Sequence, residues 1–331
     1  MGNRLLALIL FGLFCLPVLA QQDASSASAN HPPEATASTK AASPTKASDP
    51  APSAAQPDLN PDAKGNLSSD QMRELTRVVA QNFRENFRKQ ANYTFVQRDV
   101  DRTMSGDGKV KSTEVRTYDV IEIYGEEVWR LIEKDDKLLD AKEAAKEEEK
   151  IQKIIDKHKG ESEQERKKRE EKEEKRREES RKFVTAIADS HDFKLVGTET
   201  ANGREMWVID CDPRPGYEIP DKEARFVSKF RGRLWIDKQD MQLAKVDVEA
   251  IDTASVGWVL ARIHKGTRMT YEQMRFNDEI WLPKHMTYKL DARVALLKGY
   301  NIDGEQTYRD YKKFRSSSKI IGVGQAEDPS K

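Results

Sequence analysis

Cysteine is almost missing from this sequence, which contains only Cys15 and Cys211. Cys15 falls in an N-terminal leader, so a mature chain keeps Cys211 alone and can form no internal disulfide. Stability must come from a packed core. An excess of one charge is missing too: 57 Lys and Arg stand against 57 Asp and Glu, a balance that argues against a basic protein coating nucleic acid. Histidine is sparse, and His31, His158, His191, His264 and His285 show no metal-ligand spacing with one another or with Cys211. No metal or other cofactor is expected. There is no G-x-S-x-G, "SGDGKV" is too short for a phosphate loop, and "DVDRTMSGDGKV" lacks the glycine and final glutamate of a calcium loop. Asp210 and Asp212 flank Cys211 and would raise its thiol pKa, so this residue reads as strand packing. No nucleophile, base and orienter set emerges, and a non-enzymatic protein is expected.

A long apolar run occurs at the N-terminus, in "MGNRLLALILFGLFCLPVLA". Arg4, an apolar stretch over residues 5–16 and the small-residue ending at Ala20 describe a signal peptide over residues 1–20. The stretch is short of the roughly 20 apolar residues a membrane helix needs. An exported protein of the periplasm or cell envelope, with no transmembrane segment after signal removal, is expected; an uncleaved anchor is the alternative. Phe14 before Cys15 does not fit a lipidation site. Residues 21–66 are rich in Ala, Ser, Pro and Thr, as in "ATASTKAASPTKASDPAPSAAQP", and read as a disordered linker because they cannot offset their ordering entropy. Residues 67–320 read as one domain, followed by a tail over 321–331.

Within that domain, Ser68 or Ser69 can cap a helix carrying Met72, Leu75, Val79, Phe83 and Phe87 at helical spacing. Segments of β character follow. "YTFVQRDV" and "STEVRTYDVIEIY" flank the turn at residues 105–108, and "EEVWRLIEK" precedes Asp135-Asp136. Later, "FKLVGTE" and "REMWVIDC" flank Asn202-Gly203, and "GRLWIDK" and "MQLAKVDVEAID" flank Gln239-Asp240. "TRMTYEQMRF", "HMTYKLDARVALL" and "EQTYRDYKKF" complete the series. Eight to ten strands in mostly sequential order predict an antiparallel meander, because the connections are too short for parallel crossovers. "DKEARFVSKF" and "SVGWVLARIHKG" are expected to form helical turns on one face. The fold class is α+β.

Residues 140–189 interrupt the meander with charge, most densely in "RKKREEKEEKRREESRKF". Asp140 with Glu143, and Ser162 with Glu165, mark two helix starts, and Gly160 marks a stop between them. A helical hairpin is predicted. Its second limb pairs opposite charges three or four residues apart, as Arg166 with Glu170 and Glu173 with Arg177, each worth about 0.2–0.5 kcal/mol. Such a limb can stand in water as a solvated spacer, serve as a lid, or offer a surface to a protein partner.

Aromatic residues concentrate in the β segments. Along "EMWVIDC", Trp207 and Ile209 alternate against Met206 and Val208; along "GRLWIDK", Trp235 alternates against Leu234 and Ile236. Strands apolar on both faces need cover on both. One face can take the N-terminal helix, and the other needs a lid or an apolar ligand, unless the predicted helices already close a two-sided core. The Gly-x-Leu-Trp-Ile-Asp strand, turn and Lys-Val strand of "GRLWIDKQDMQLAKVDVE", with "WLPKHMTYKL" and "YRDYKKF", resemble the periplasmic outer-membrane lipoprotein-sorting and lipoprotein-carrier family. The order of leader, helix, meander and insertion is similar as well. The resemblance implies a strongly curved, unclosed antiparallel barrel with helices on its concave side, and a lipid acyl chain or lipoprotein held there. Trp129, Leu131, Trp207, Ile209, Trp235, Val246, Val248 and Tyr271 are the candidate lining residues. The alternative is an envelope interaction or sensor module working through the charged hairpin, with the sheet as scaffold.

Overall fold

The computed structural model describes residues 59–63, 66–90, 92–123, 126–222, 224–256, 261–294 and 298–313. The leader, residues 21–58 of the linker, Trp258 and the tail lie outside the described residues, as do many side chains between residues 170 and 184, and with them most of the ion pairs expected there.

Helix α1 spans Ser69–Gln90. Ser68 caps it: the Gln71 N–H donates to Ser68 Oγ at 3.1 Å while the Ser68 N–H donates to Gln71 Oε1 at 2.8 Å, so each side chain satisfies the other residue's amide. Strands β1 (Tyr93–Met104), β2 (Val110–Ile123), β3 (Glu126–Lys134) and β4 (Lys137–Leu138) follow. Asp135 and Asp136 turn the last hairpin with φ of 51° and 56°, the conformation that two-residue turns demand and that Asp tolerates. Then come α2 (Ala141–Lys159), α3 (Glu163–Ser190), β5 (His191–Ala201) and β6 (Arg204–Pro213). A 3-10 turn, Arg225–Lys229, leads into β7 (Phe230–Asp237), β8 (Leu243–Ala250), β9 (Ala254–Val256), β10 (Ala261–Ile263), β11 (Arg268–Phe276), β12 (Ile280–Val294) and β13 (Lys298–Lys313). The helical turn expected within "SVGWVLARIHKG" is instead the antiparallel pair β9–β10. Ala261 and Ile263 are buried and Arg262 is exposed, a period of two that a helix cannot use.

All thirteen strands join one antiparallel sheet in the order β4-β3-β2-β1-β13-β12-β11-β8-β7-β6-β5, with β9 and β10 off this path. The sheet is open, and the meander is broken where β1 pairs with β13. The topology also sets what the charged insertion joins. The helices α2 and α3 leave from β4 and return to β5, and these strands are the opposite margins of the sheet. The helices run for 19 and 28 residues, with capping at Asp140 and Ser162 as the sequence placed it. The charged segment is thus two helices inserted between β4 and β5, with the break at Gly160.

The cross-strand register assigns each side chain to a face. Trp129 pairs with Val120, Val120 with Phe95, Gln97 with Tyr308, Met286 with Tyr271, Tyr271 with Val246, Leu234 with Ile209 and Ile209 with Leu195. These residues lie on one face, and α1 packs there through Met72, Leu75 and Val78. The opposite face carries cross-strand ion pairs, Arg233–Asp210, Arg231–Glu249, Arg268–Asp247 and Lys245–Glu272. It is a solvated face at its middle. At the β2–β3 end it is covered by α2, where Ile151 closes a cluster with Ile123 and Val128. That helix also guards the margin: Glu147 accepts the outward Leu131 N–H at 3.4 Å, which blunts an edge strand.

Candidate functional site

The α1 face is built in sections. Under α1, Phe193, Ile209, Cys211, Ile236 and Met241 pack with the helix and with Leu59 and Leu67, so the last residues of the predicted linker belong to the fold. Burial is the main cause, and Asp212 and Asp210 a lesser one, that pushes the Cys211 thiol well above its ordinary range; it is an inert packing group. Beside this section, Phe226 and Val227 of the 3-10 turn and Ala186 of α3 cover Val246, Val248, Tyr271, Met286 and Tyr288. Toward the other margin, Tyr93, Phe95, Tyr308 and Tyr311 gather around Ile280 and Leu282, with Phe95 and Tyr311 rings 5.4 Å apart.

Of the candidate lining residues, Trp129, Leu131, Trp207, Ile209, Val246, Val248 and Tyr271 fall on this face. They do not line one space. Ile209, Val246, Val248 and Tyr271 are buried in the covered sections, and Trp207 packs against the α1 cluster. Trp129 and Leu131 are half-buried on β3, beside Tyr118 and Val120, and among the described residues they belong to none of the closed clusters. Trp235 is on the opposite face, since it pairs with Lys245 while its neighbour Leu234 pairs with Val246. There Lys245 Nζ sits 5.0 Å from its ring centroid and its Nε1–H donates to Glu199 at 2.7 Å. The second apolar face inferred from strand alternation is therefore a small cluster of Met206, Ala244, Trp235 and Trp281 set among ion pairs, rather than a surface awaiting a lid.

The hairpin of the Gly-x-Leu-Trp-Ile-Asp strand has a polar organiser. Asp237, fully buried, accepts two bonds from Arg204 at 2.6 and 2.7 Å and two from the turn amides of Gln239 and Asp240. Asp240 in turn holds Arg204, Arg275 and the Nε1–H of Trp281. Buried Asn86 of α1 donates to Trp281 O at 2.7 Å and accepts the Trp281 N–H at 2.8 Å. This network ties three hairpins and α1 together. The turn Asp was visible in the sequence, but its partners are distant in the chain and carry no local signal.

At the β5 margin a cleft of about 310 Å³ is lined by Asn66, Leu67, Ser69, Met72, Ala188, His191, Asp192, Phe193 and Arg214. His191 is buried, with Nε2 3.1 Å from Phe230 O and Nδ1 2.9 Å from Ser190 Oγ. Burial lowers its pKa, against the opposing pull of the backbone carbonyls and of Asp212 and Asp192. Among the described residues, no group of three or more His, Cys, Asp or Glu is placed to hold a metal ion, and no helix is long and apolar enough to cross a membrane.

No family model matches the chain, and no curated protein matches it. Solved structures do. One is an outer-membrane lipoprotein-sorting protein domain from Vibrio parahaemolyticus, 11% identical, with 75% of this chain and 95% of that one covered at a TM-score of 0.33. A LolA-superfamily protein from Nitrosomonas europaea is 10% identical, with 77% and 97% covered at 0.27. A DUF1329 family protein from Desulfovibrio piger is 11% identical, with 75% and 95% covered at 0.24.

Proposed function

We propose that this is an exported, non-enzymatic protein of the periplasm or cell envelope that holds a lipid acyl chain, free or on a lipoprotein, against the α1 face of its sheet. The observation that carries the reading is the apolar row Trp129, Leu131, Tyr118 and Val120, continuous with the covered sections of the same face, with the first two half-buried. A half-buried Trp beside aliphatic neighbours offers large contact area at little entropic cost. Ile209, Val246, Val248 and Tyr271, buried in the covered sections, brace the sheet and do not touch the ligand, and an acyl chain gains about 0.8 kcal/mol for each methylene it buries. Trp207 sits at the edge of the α1 section as a further contact. Trp235 has no part in this surface.

The test is titration of the intact protein with a fluorescent long-chain fatty acid. Saturable binding is expected, with energy transfer from tryptophan that falls sharply in Trp129→Leu and with affinity reduced about tenfold by Leu131→Asp. Wild-type affinity in both variants would remove the β3 surface from the account, and absence of saturable binding would remove the function.

A further inference from the structure

We infer that the cleft at the β5 margin is a second site, for a small ligand with one carboxylate and a short apolar end. It lies on β5, at the margin of the sheet away from Trp129, and does not depend on the acyl-chain reading. Its volume of about 310 Å³ is at the lower end of the roughly 300–1,000 Å³ typical of ligand sites. Leu67, Met72 and Phe193 supply an apolar floor that is continuous with the cluster under α1.

The polar wall is Arg214. Its backbone N–H is fixed to Ser190 O at 2.7 Å and its guanidinium lies 5.6 Å from the Tyr217 ring centroid, so the group is held in place. Its Nε donates to Asp192 Oδ1 at 3.0 Å and one Nη reaches His191 O at 3.4 Å. The guanidinium has five donors in a fork suited to a carboxylate, and these contacts leave part of the fork over. Asp192, which also lines the cleft, is 62% exposed at its side chain. An exposed pair of this kind is worth at most about 1 kcal/mol. Asp192 therefore acts as a weakly held stand-in, and a ligand carboxylate with an apolar end in the cleft takes its place while Asp192 turns to water. Of the other charges near the cleft, Arg73 lies 3.4 Å from Asp70 and 3.7 Å from Asp189, and Asp62 is held by Asn66. Asp212 stands across from Asp192 on β6, so Asp192 already has a like charge beside it that favours its turning away.

This exchange predicts opposite effects for the two partners. In calorimetric titrations of the full chain, octanoate and N-acetyl-leucyl-leucine each probe the carboxylate, one as a fatty acid and one as a peptide end. At least one is expected to bind saturably, and the tighter one identifies the source. Arg214→Gln should weaken that binding at least tenfold, Asp192→Asn should tighten it several-fold, and Trp129→Leu should leave it unchanged. Asp192→Asn alters a solvent-exposed side chain, so its result stands even if Arg214→Gln proves unstable. Octanol binding as tightly as octanoate, no saturable binding of either probe, or weakening by Asp192→Asn would each overturn the assignment.

Discussion

Gly304 shows how one residue can be decided by a side chain on the adjacent strand. The Tyr288 ring on β12 crosses over Gly304 on β13 so that its hydroxyl donates to Asp101 on β1. A Cβ at position 304 would lie 2.1 Å from the Tyr288 ring. Gly304→Ala should therefore cost about 1–3 kcal/mol by overpacking, read as a lower urea midpoint. Tyr288→Leu in the same chain should return part of that loss, a coupling that independent sites would not show. Asp237→Ala should cost more, about 3–5 kcal/mol, because it takes the bidentate partner from the largely buried Arg204, leaving it Asp240 alone, and strips the Gln239 and Asp240 turn amides of their acceptor. The same unfolding assay checks it, with Arg204→Met in the Asp237→Ala background expected to recover stability.

At the scale of elements, α2 and the α3–β5 junction carry the tests. Ile151 is 2% exposed although its helix is mostly charged, and Ile151→Ala should cost about 2–5 kcal/mol; exposed Lys146→Ala, one turn away, should be nearly neutral in the same melts. At the junction, His191 has a folded pKa held below its ordinary value by burial. The unfolded chain then binds the proton more readily, so stability is complete above pH ~6.5 and declines as pH falls toward the depressed folded value. Urea midpoints at pH 7.5 and 5.5 should differ more in the wild type than in His191→Gln; equal differences would contradict this. Local chemistry made these elements readable in advance: the Ser68 and Ser162 caps, the turns at Asp135-Asp136 and Asn202-Gly203, and the period-two strands all occur where residue type and spacing place them. The β9–β10 pair was misread because a short apolar run has no periodicity that separates strand from helix.

Across the whole molecule, what the sequence could not disclose is which strands become neighbours. Pairing of β1 with β13 joins residues roughly 200 to 220 positions apart, and it places β4 and β5, which the charged helices connect, at the two ends of the strand order. The same limit applies to the site. Alternation along one strand correctly separates Trp235 from Leu234, but only the register through the sheet shows that Trp129 and Leu131 share a face with Ile209 and Tyr271 while Trp235 does not. The central claim is that this face holds an acyl chain, and it is tested most directly by native mass spectrometry of the protein purified gently from the cells that make it, followed by organic extraction. The account predicts an adduct of lipid mass, recovered in the extract and lost in Leu131→Asp. A clean apo mass, with no fatty acid or lipopeptide taken up on incubation, would contradict it.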